Sequence, residues 1–209
     1  SGVGQSTGKK AGRRRGGVSR RHRSHDDRRK IIAALDLGTN NCRLLVAHPI
    51  PGGFKVIDGF SKIVRLGEGV AGSGSLSAAA MDRTLDALKM CAERIVRRNV
   101  THGRYIATEA CRRAKNYDEF LAQIKTKTGL KLELITSNEE ARLALRGIQN
   151  LLNPVQPYAL ILDSGGGSTE IIWAKRGNNC FNIIDVLSLP LGVVTVAEKW
   201  KMEETNENS

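Results

Sequence analysis

Ala159-Leu-Ile-Leu-Asp-Ser-Gly-Gly-Gly-Ser-Thr-Glu-Ile-Ile-Trp173 carries more functional information than any other stretch of this 209-residue chain. An apolar run ends in Asp163, three glycines follow, and Ser168, Thr169 and Glu170 lead into a second apolar run. The pattern predicts strand, tight turn, strand, with a carboxylate at each shoulder. Without Cβ atoms at 165–167 the backbone can turn sharply and bring amide N–H groups up to a phosphate. Asp163 and Glu170 flank the turn, where they could hold a hard cation such as Mg2+ against phosphate oxygens. Taken alone, the same residues also describe an ordinary glycine-rich hairpin.

A second segment of the same design lies far upstream: Ile31-Ile-Ala-Ala-Leu-Asp-Leu-Gly-Thr-Asn-Asn-Cys-Arg-Leu-Leu-Val46. Asp36 ends its first strand, Gly38 and Thr39 occupy the turn, and Arg43 opens the returning strand. Two such hairpins facing each other would make a phosphate clamp. The pair resembles the α/β superfamily of actin, sugar kinases and heat-shock ATPases, which is built from two ribonuclease-H-like lobes with a phosphate loop from each.

Further stretches narrow the resemblance. Ala107-Thr-Glu-Ala-Cys-Arg-Arg-Ala-Lys-Asn116, Ile135-Thr-Ser-Asn-Glu-Glu-Ala-Arg142 and Ser188-Leu-Pro-Leu-Gly-Val193 are similar to motifs of the exopolyphosphatase / guanosine pentaphosphate phosphohydrolase (Ppx/GppA) family. The likeness runs from about residue 31 to 200 and implies roles residue by residue. Glu140 matches the catalytic base, which would orient and deprotonate a water for attack on a terminal phosphorus. Asp163 and Glu170 match metal- and water-positioning carboxylates, and Asp36 would face the metal. Gly38, Thr39, Asn40 and Arg43 from one loop, Arg112, and Gly165, Gly166, Gly167, Ser168 and Thr169 from the other would bind phosphate. A planar guanidinium suits Arg43 and Arg112 to that task. Each residue also has a plainer reading. Ser137-Asn-Glu-Glu140 has the form of a capping box, and Arg43 and Arg112 could be surface or ion-pair arginines. Glu139 and Arg113 read as solvated neighbours. The chain departs from the family's usual pattern at Asn41 and Ser164, and neither change removes a charge.

The resemblance implies metal-dependent hydrolysis of the terminal phosphoanhydride of inorganic polyphosphate, releasing orthophosphate, with Mg2+ or another divalent cation. Removal of the 5′-phosphate of guanosine pentaphosphate is the alternative, since both substrates present the same terminal phosphate. A non-catalytic polyphosphate- or alarmone-binding fragment is a further one. A sugar kinase has no use for a carboxylate at the helix start near Glu140. A homodimer is among the expectations for the full-length form, and the cysteine usage described next points to the cytoplasm.

Composition agrees with this setting. The chain is 40% hydrophobic and 26% charged, has no apolar run of membrane-spanning length, and carries four widely spaced cysteines without a Cys-x-x-Cys. Such cysteines read as reduced and mostly buried, and no histidine stands at zinc-ligand spacing from them. Of the net charge of +12, residues 1–30 hold +9, from eleven Lys and Arg against Asp26 and Asp27. Residues 1–29 are therefore read as a disordered basic tail, too poor in apolar residues to order itself. The tail is either a solvated extension or an electrostatic tether for polyanions.

Strands are predicted at 31–36, 42–48, 54–64, 104–108, 131–136, 158–163, 169–175 and 180–187. Helices are predicted at 77–98, from 109, at 117–128, from 138 to about 152, and after Gly192. Arg65–Ser75 reads as a flexible loop and Asn153-Pro-Val-Gln-Pro157 as an interlobe linker. The expected organisation is a first ribonuclease-H-like lobe over 30–153 and the incomplete start of a second over 154–209.

Overall fold

The computed structural model describes residues 30–207, apart from the isolated Gly2, with side chains as far as Trp200. The basic tail predicted over 1–29 therefore lies outside the described residues. Ile32–Leu37 (β1), Asn41–Ile50 (β2) and Gly53–Ile63 (β3) form an antiparallel meander. A short helix Val70–Ser73 (α1) and the long Ala78–Arg97 (α2) lead to His102–Ala107 (β4), which pairs parallel to β1. Two helices, Glu109–Arg113 (α3) and Tyr117–Thr128 (α4), precede the two-residue strand Glu133–Leu134 (β5). The resulting sheet has the order β3-β2-β1-β4-β5, which is the ribonuclease-H-like arrangement the sequence predicted.

Alternation along β1 and β2 decides which face carries chemistry. Leu35, Leu37, Cys42, Leu44 and Val46 point into a core with Leu85, Leu88 and Cys91 of α2 and Phe120 and Ile124 of α4. Successive side chains point to opposite faces of a strand, so Asp36 and Arg43 emerge on the other side. They are direct cross-strand partners. The side chain of Ser77 starts α2 by accepting from Ala80 N–H, the local bond expected of an N-cap serine.

Ser137–Ile148 (α5), continued by a 3-10 turn over Gln149–Leu151, connects the first sheet to a second. Tyr158–Ser164 (β6), Thr169–Arg176 (β7) and Phe181–Leu189 (β8) are antiparallel in the order β6-β7-β8, and Val193–Glu207 (α6) follows. The inner face of this sheet packs on α5, where Leu145 meets Ala174 and Phe181 in a small core of its own. Among the described residues no helix is long and apolar enough to cross a membrane.

Three local expectations are corrected. Arg65–Ser75 is a packed brace, because Val64, Leu66 and Val70 are buried. Arg83 donates to the Val64 and Arg65 carbonyls and to Glu68. The apolar side chains spaced among its glycines are what anchor it. The strand predicted over 131–136 is only Glu133–Leu134, since Leu132 and Ile135 bury themselves at the sheet end without extending the ladder. The helix after it is capped by Thr136, whose Oγ1 accepts from Glu139 N–H at 3.2 Å, in place of Ser137.

The outer face of the second sheet is apolar and open: Leu160 and Leu162 are each 66% exposed, beside Tyr158, Trp173 and Leu187. A contiguous patch of this kind, next to an unpaired strand edge, favours association. Sedimentation velocity is expected to show concentration-dependent self-association of the chain, abolished by Leu160→Lys with Leu162→Lys; a monomer at all concentrations would contradict it.

Candidate active site

The first loop is closed by Gly38 N–H donating to the Asn41 carbonyl at 2.9 Å. It is held from behind by the brace: Val64 and Arg65 N–H donate to the Asn40 carbonyl (2.8 and 3.0 Å), and Gly67 N–H to the Thr39 carbonyl at 2.9 Å. The second loop closes in the same way, with Gly165 N–H on the Ser168 carbonyl at 2.9 Å. Its own carbonyls are engaged by α6, since Val193 N–H donates to Gly165 and Val194 N–H to Gly166. Among the described residues the N–H groups of Gly166, Gly167 and Ser168 make no hydrogen bond. Unpaired amides of this sort, clustered on one turn, are what an anion needs.

The two loops touch. A Cβ on Gly167 would lie 2.5 Å from Thr39 Oγ1 and 3.1 Å from Glu109 Cγ, and one on Gly166 would lie 3.1 Å from Asn40 N. Only glycine permits this approach. Asp163 and Glu170 are cross-strand partners on the inner face, in phase with Ile161 and Ile172. Glu170 is buried and accepts from Ser188 Oγ at 2.9 Å.

Glu140 comes from α5. Because Thr136 is the cap, Glu139 and not Glu140 occupies the capping-box position, and Glu139 itself turns to Arg104 (3.0 Å) and Arg142 (3.4 Å). The expectation of a merely solvated Glu139 is corrected accordingly, and the capping reading of Glu140 falls with the shift in register. Glu140 Oε2 accepts from Arg112 Nη1 at 2.8 Å. Arg112 also donates to the Ile135 carbonyl at 3.0 Å and through Nε and Nη2 to Glu109 Oε2 at 3.1 and 2.9 Å. Burial pushes the Glu140 carboxyl up to about 7; Arg112 opposes this, while Glu170 and Asp36 add to it. Asp36 is also raised, by burial and then by Asp163, against the pull of Arg43.

These groups surround a cleft of about 420 Å³. Of the residues singled out from the sequence, Asp36, Gly38, Thr39, Asn40, Arg43, Glu140, Asp163, Gly165, Gly166, Gly167 and Ser168 line it. Glu170, Thr169 and Arg112 stand behind the wall. Thr169 Oγ1 donates to the Leu191 carbonyl at 2.6 Å, and Arg112, expected at a phosphate, donates to the carboxylates of Glu109 and Glu140. Glu109 and Thr108 line the cleft and were missed; the spacing of Glu109 three residues before Arg112 on one helix face was the available signal. Among the described residues no three His, Cys, Asp or Glu side chains converge as a metal site. Mg2+ ordinarily takes only one or two carboxylates and completes its shell with phosphate oxygens and water. Asp36 and Asp163, close enough to perturb each other, fit that requirement.

The profile of the Ppx/GppA phosphatase family matches residues 45–207. The chain belongs to this family. A crystal structure of the Aquifex aeolicus member superimposes with a TM-score of 0.68 at 33% identity, covering 81% of this chain and 54% of that one. An exopolyphosphatase from Cytophaga hutchinsonii gives a TM-score of 0.75 at 28% identity, over 81% of this chain and 53% of that one. The chain thus spans about half the length of the solved relatives it matches. The PilM–PilN pilus biogenesis complex, at 12% identity and a TM-score of 0.51, shares the actin-like fold alone. The family match begins just after Arg43, so the role of the first loop rests on its geometry.

Removing the Arg112 charge should raise the Glu140 titration further, and removing the Asp36 charge should lower it. Carboxyl-detected NMR of Arg112→Met and Asp36→Asn is expected to show midpoints above and below about 7 respectively; shifts in the same direction would contradict this account of the site.

Proposed function

We propose that this cleft hydrolyses the terminal phosphoanhydride of inorganic polyphosphate, releasing orthophosphate. The observation that carries the reading is Glu140: a carboxyl pushed up to about 7 that lines the same cleft as two glycine loops, one of them with unpaired N–H groups. A general base works best with a pKa near the working pH. Arg43 and the amides of Gly166, Gly167 and Ser168 would bind the non-bridging oxygens of the terminal phosphate, where preorganised donors stabilise the charge that develops. Glu140 accepts a proton from water as the water oxygen bonds to phosphorus. The bridging P–O bond breaks, and the shortened chain leaves with the electron pair. Arg112 is a positioning residue that holds Glu140 toward the cleft and is held in turn by Glu109. A divalent cation, if bound, would sit with Asp36 and Asp163 and neutralise phosphate charge. The family relationship and the exopolyphosphatase among the structural relatives support the polyphosphate reading.

Glu140→Gln should lower orthophosphate release about 100-fold or more with the helix intact, since Thr136 and not Glu140 makes the cap. Because the base must be ionised, kcat/KM should fall about tenfold per pH unit below about 7 and level off above it. Release is measured from polyphosphate and from guanosine pentaphosphate, with and without Mg2+. Faster release from the nucleotide would move the substrate assignment, and binding without release at any pH would leave a binding protein.

The basic segment 1–29 should act through long-range charge. Its deletion should weaken polyphosphate binding at low salt and flatten the plot of log affinity against log salt, with turnover at saturation unchanged. Equal slopes for the two chains would show that the segment takes no part.

A further inference from the structure

A second concave surface lies on the opposite side of α5 from Glu140. Asn138, Arg142, Arg146 and Gln149 recur at helical spacing and face β8 across a groove of about 600 Å³, with Asn182 and Asp185 on the far wall. The groove runs on into a hollow of about 260 Å³ beside the β7–β8 turn, where Arg176 stands. The floor is closed by Leu145 and Phe181, which are buried.

The charge pattern here is not explained by the fold. Arg142 and Arg146 are one turn apart on the same face, an arrangement of like charges that destabilises a helix. Arg142 has only a long, exposed contact to Glu139 at 3.4 Å. Among the described residues Arg146 makes no ion pair, and the sole carboxylate in the groove, Asp185, is bonded to the neighbouring Val186 N–H. Three guanidinium groups thus outnumber the single carboxylate of Asp185 on a concave surface whose remaining polar members include the neutral amides of Asn138, Gln149 and Asn182. A concave wall with an excess of one charge sign concentrates the field, and guanidinium forks match paired phosphate oxygens.

We propose that the groove between α5 and β8 is a second anion site, distinct from the catalytic cleft, that takes a di- or triphosphate group. Arg142 and Arg146 grip adjacent phosphates, and the amides of Asn138, Gln149 and Asn182 supply neutral donors along the groove. The diphosphate group can belong to an inorganic chain or to a nucleoside polyphosphate. In the second case Asp185 and the amides also meet the base. In either case the ligand touches the helix that carries Glu140.

The test is an amide NMR titration of the full chain at about 0.2 M salt, where long-range attraction by residues 1–29 is screened. The probes are methylenediphosphonate and guanosine 5′-(β,γ-methylene)triphosphate, neither hydrolysable at its P–C–P bridge. The side-chain amide signals of Asn138, Gln149 and Asn182 should shift along one saturation curve. Arg142→Gln with Arg146→Gln should weaken that curve about tenfold or more, the effect of losing charge-assisted bonds, with the Gly166 and Gly167 responses unchanged. Both arginines are exposed, so the variant keeps its core. Equal affinity for the two probes assigns the site to phosphate alone, and tighter nucleotide binding assigns it to a nucleoside polyphosphate. Groove amides that stay silent, or that respond equally in the double variant, would overturn the proposal.

Discussion

Thr39 is held between two glycines, and the rest of the site depends on that contact. Gly67 of the brace lies against its methyl group on one side and Gly167 of the second loop against its hydroxyl on the other. Each sheet has its own core, so the separation of the two hairpins is not set by one shared hydrophobic interior. It is set by close packing at the loops, where one added carbon would force backbone to move. Packed contacts of this kind are stiff, and they fix how near Asp36 comes to Asp163 and how deep Glu140 sits. Glycine at such points lowers stability through chain entropy. The second loop therefore relies on α6, whose first N–H groups tie down its carbonyls.

The electrostatics follow from that geometry. Asp36, Glu109, Glu140 and Asp163 share one cleft, with Glu170 behind it, against the two cations Arg43 and Arg112. A charge-assisted bond of 2.8 Å from Arg112 would ordinarily lower a carboxyl pKa by a unit or more, yet Glu140 is raised. Burial wins over pairing at this position. A shift from 4.5 to about 7 corresponds to roughly 3 kcal/mol of environment favouring the protonated form. The sign is adverse for the fold in neutral solution. This stabilisation is complete below about pH 4.5 and is lost as pH rises through about 7. Keeping a weakly acidic carboxyl in a partly buried wall costs stability in neutral solution, a trade that functional sites commonly make.

Much of this was legible beforehand because it rested on local pattern. The turn glycines, the acids at the strand ends and the alternation around Asp36 and Arg43 are properties of a few adjacent residues, and all of these but Glu170 line the cleft. What was missed depended on partners distant in the chain. Arg112 could not be known to spend its donors on Glu109, Glu140 and the Ile135 carbonyl, because that requires α3 to meet α5. Capping chemistry alone fits both Thr136 and Ser137, and only packing of α5 selects between them. Leu66 and Val70 sit among four glycines from 67 to 74 and serine neighbours, a composition that reads as mobile until the pocket that receives them is known.

The contrast between that brace and the linker bears on where the chain could be opened. Residues 153–157 are exposed throughout, and their backbone makes three bonds, from Val155 N–H to Asn153 Oδ1, from Gln156 N–H to the Asn153 carbonyl and from Arg176 N–H to the Pro157 carbonyl. Exposed segments with few backbone commitments accept insertions and new termini. A reporter domain or a break placed near Val155 would leave both loops and their contact intact, because α5 already grips the second sheet through Leu145. The glycine-rich stretch 65–75 looks like the more permissive site by composition, but lengthening it would pull Gly67 away from Thr39 and undo the spacing of the whole cleft.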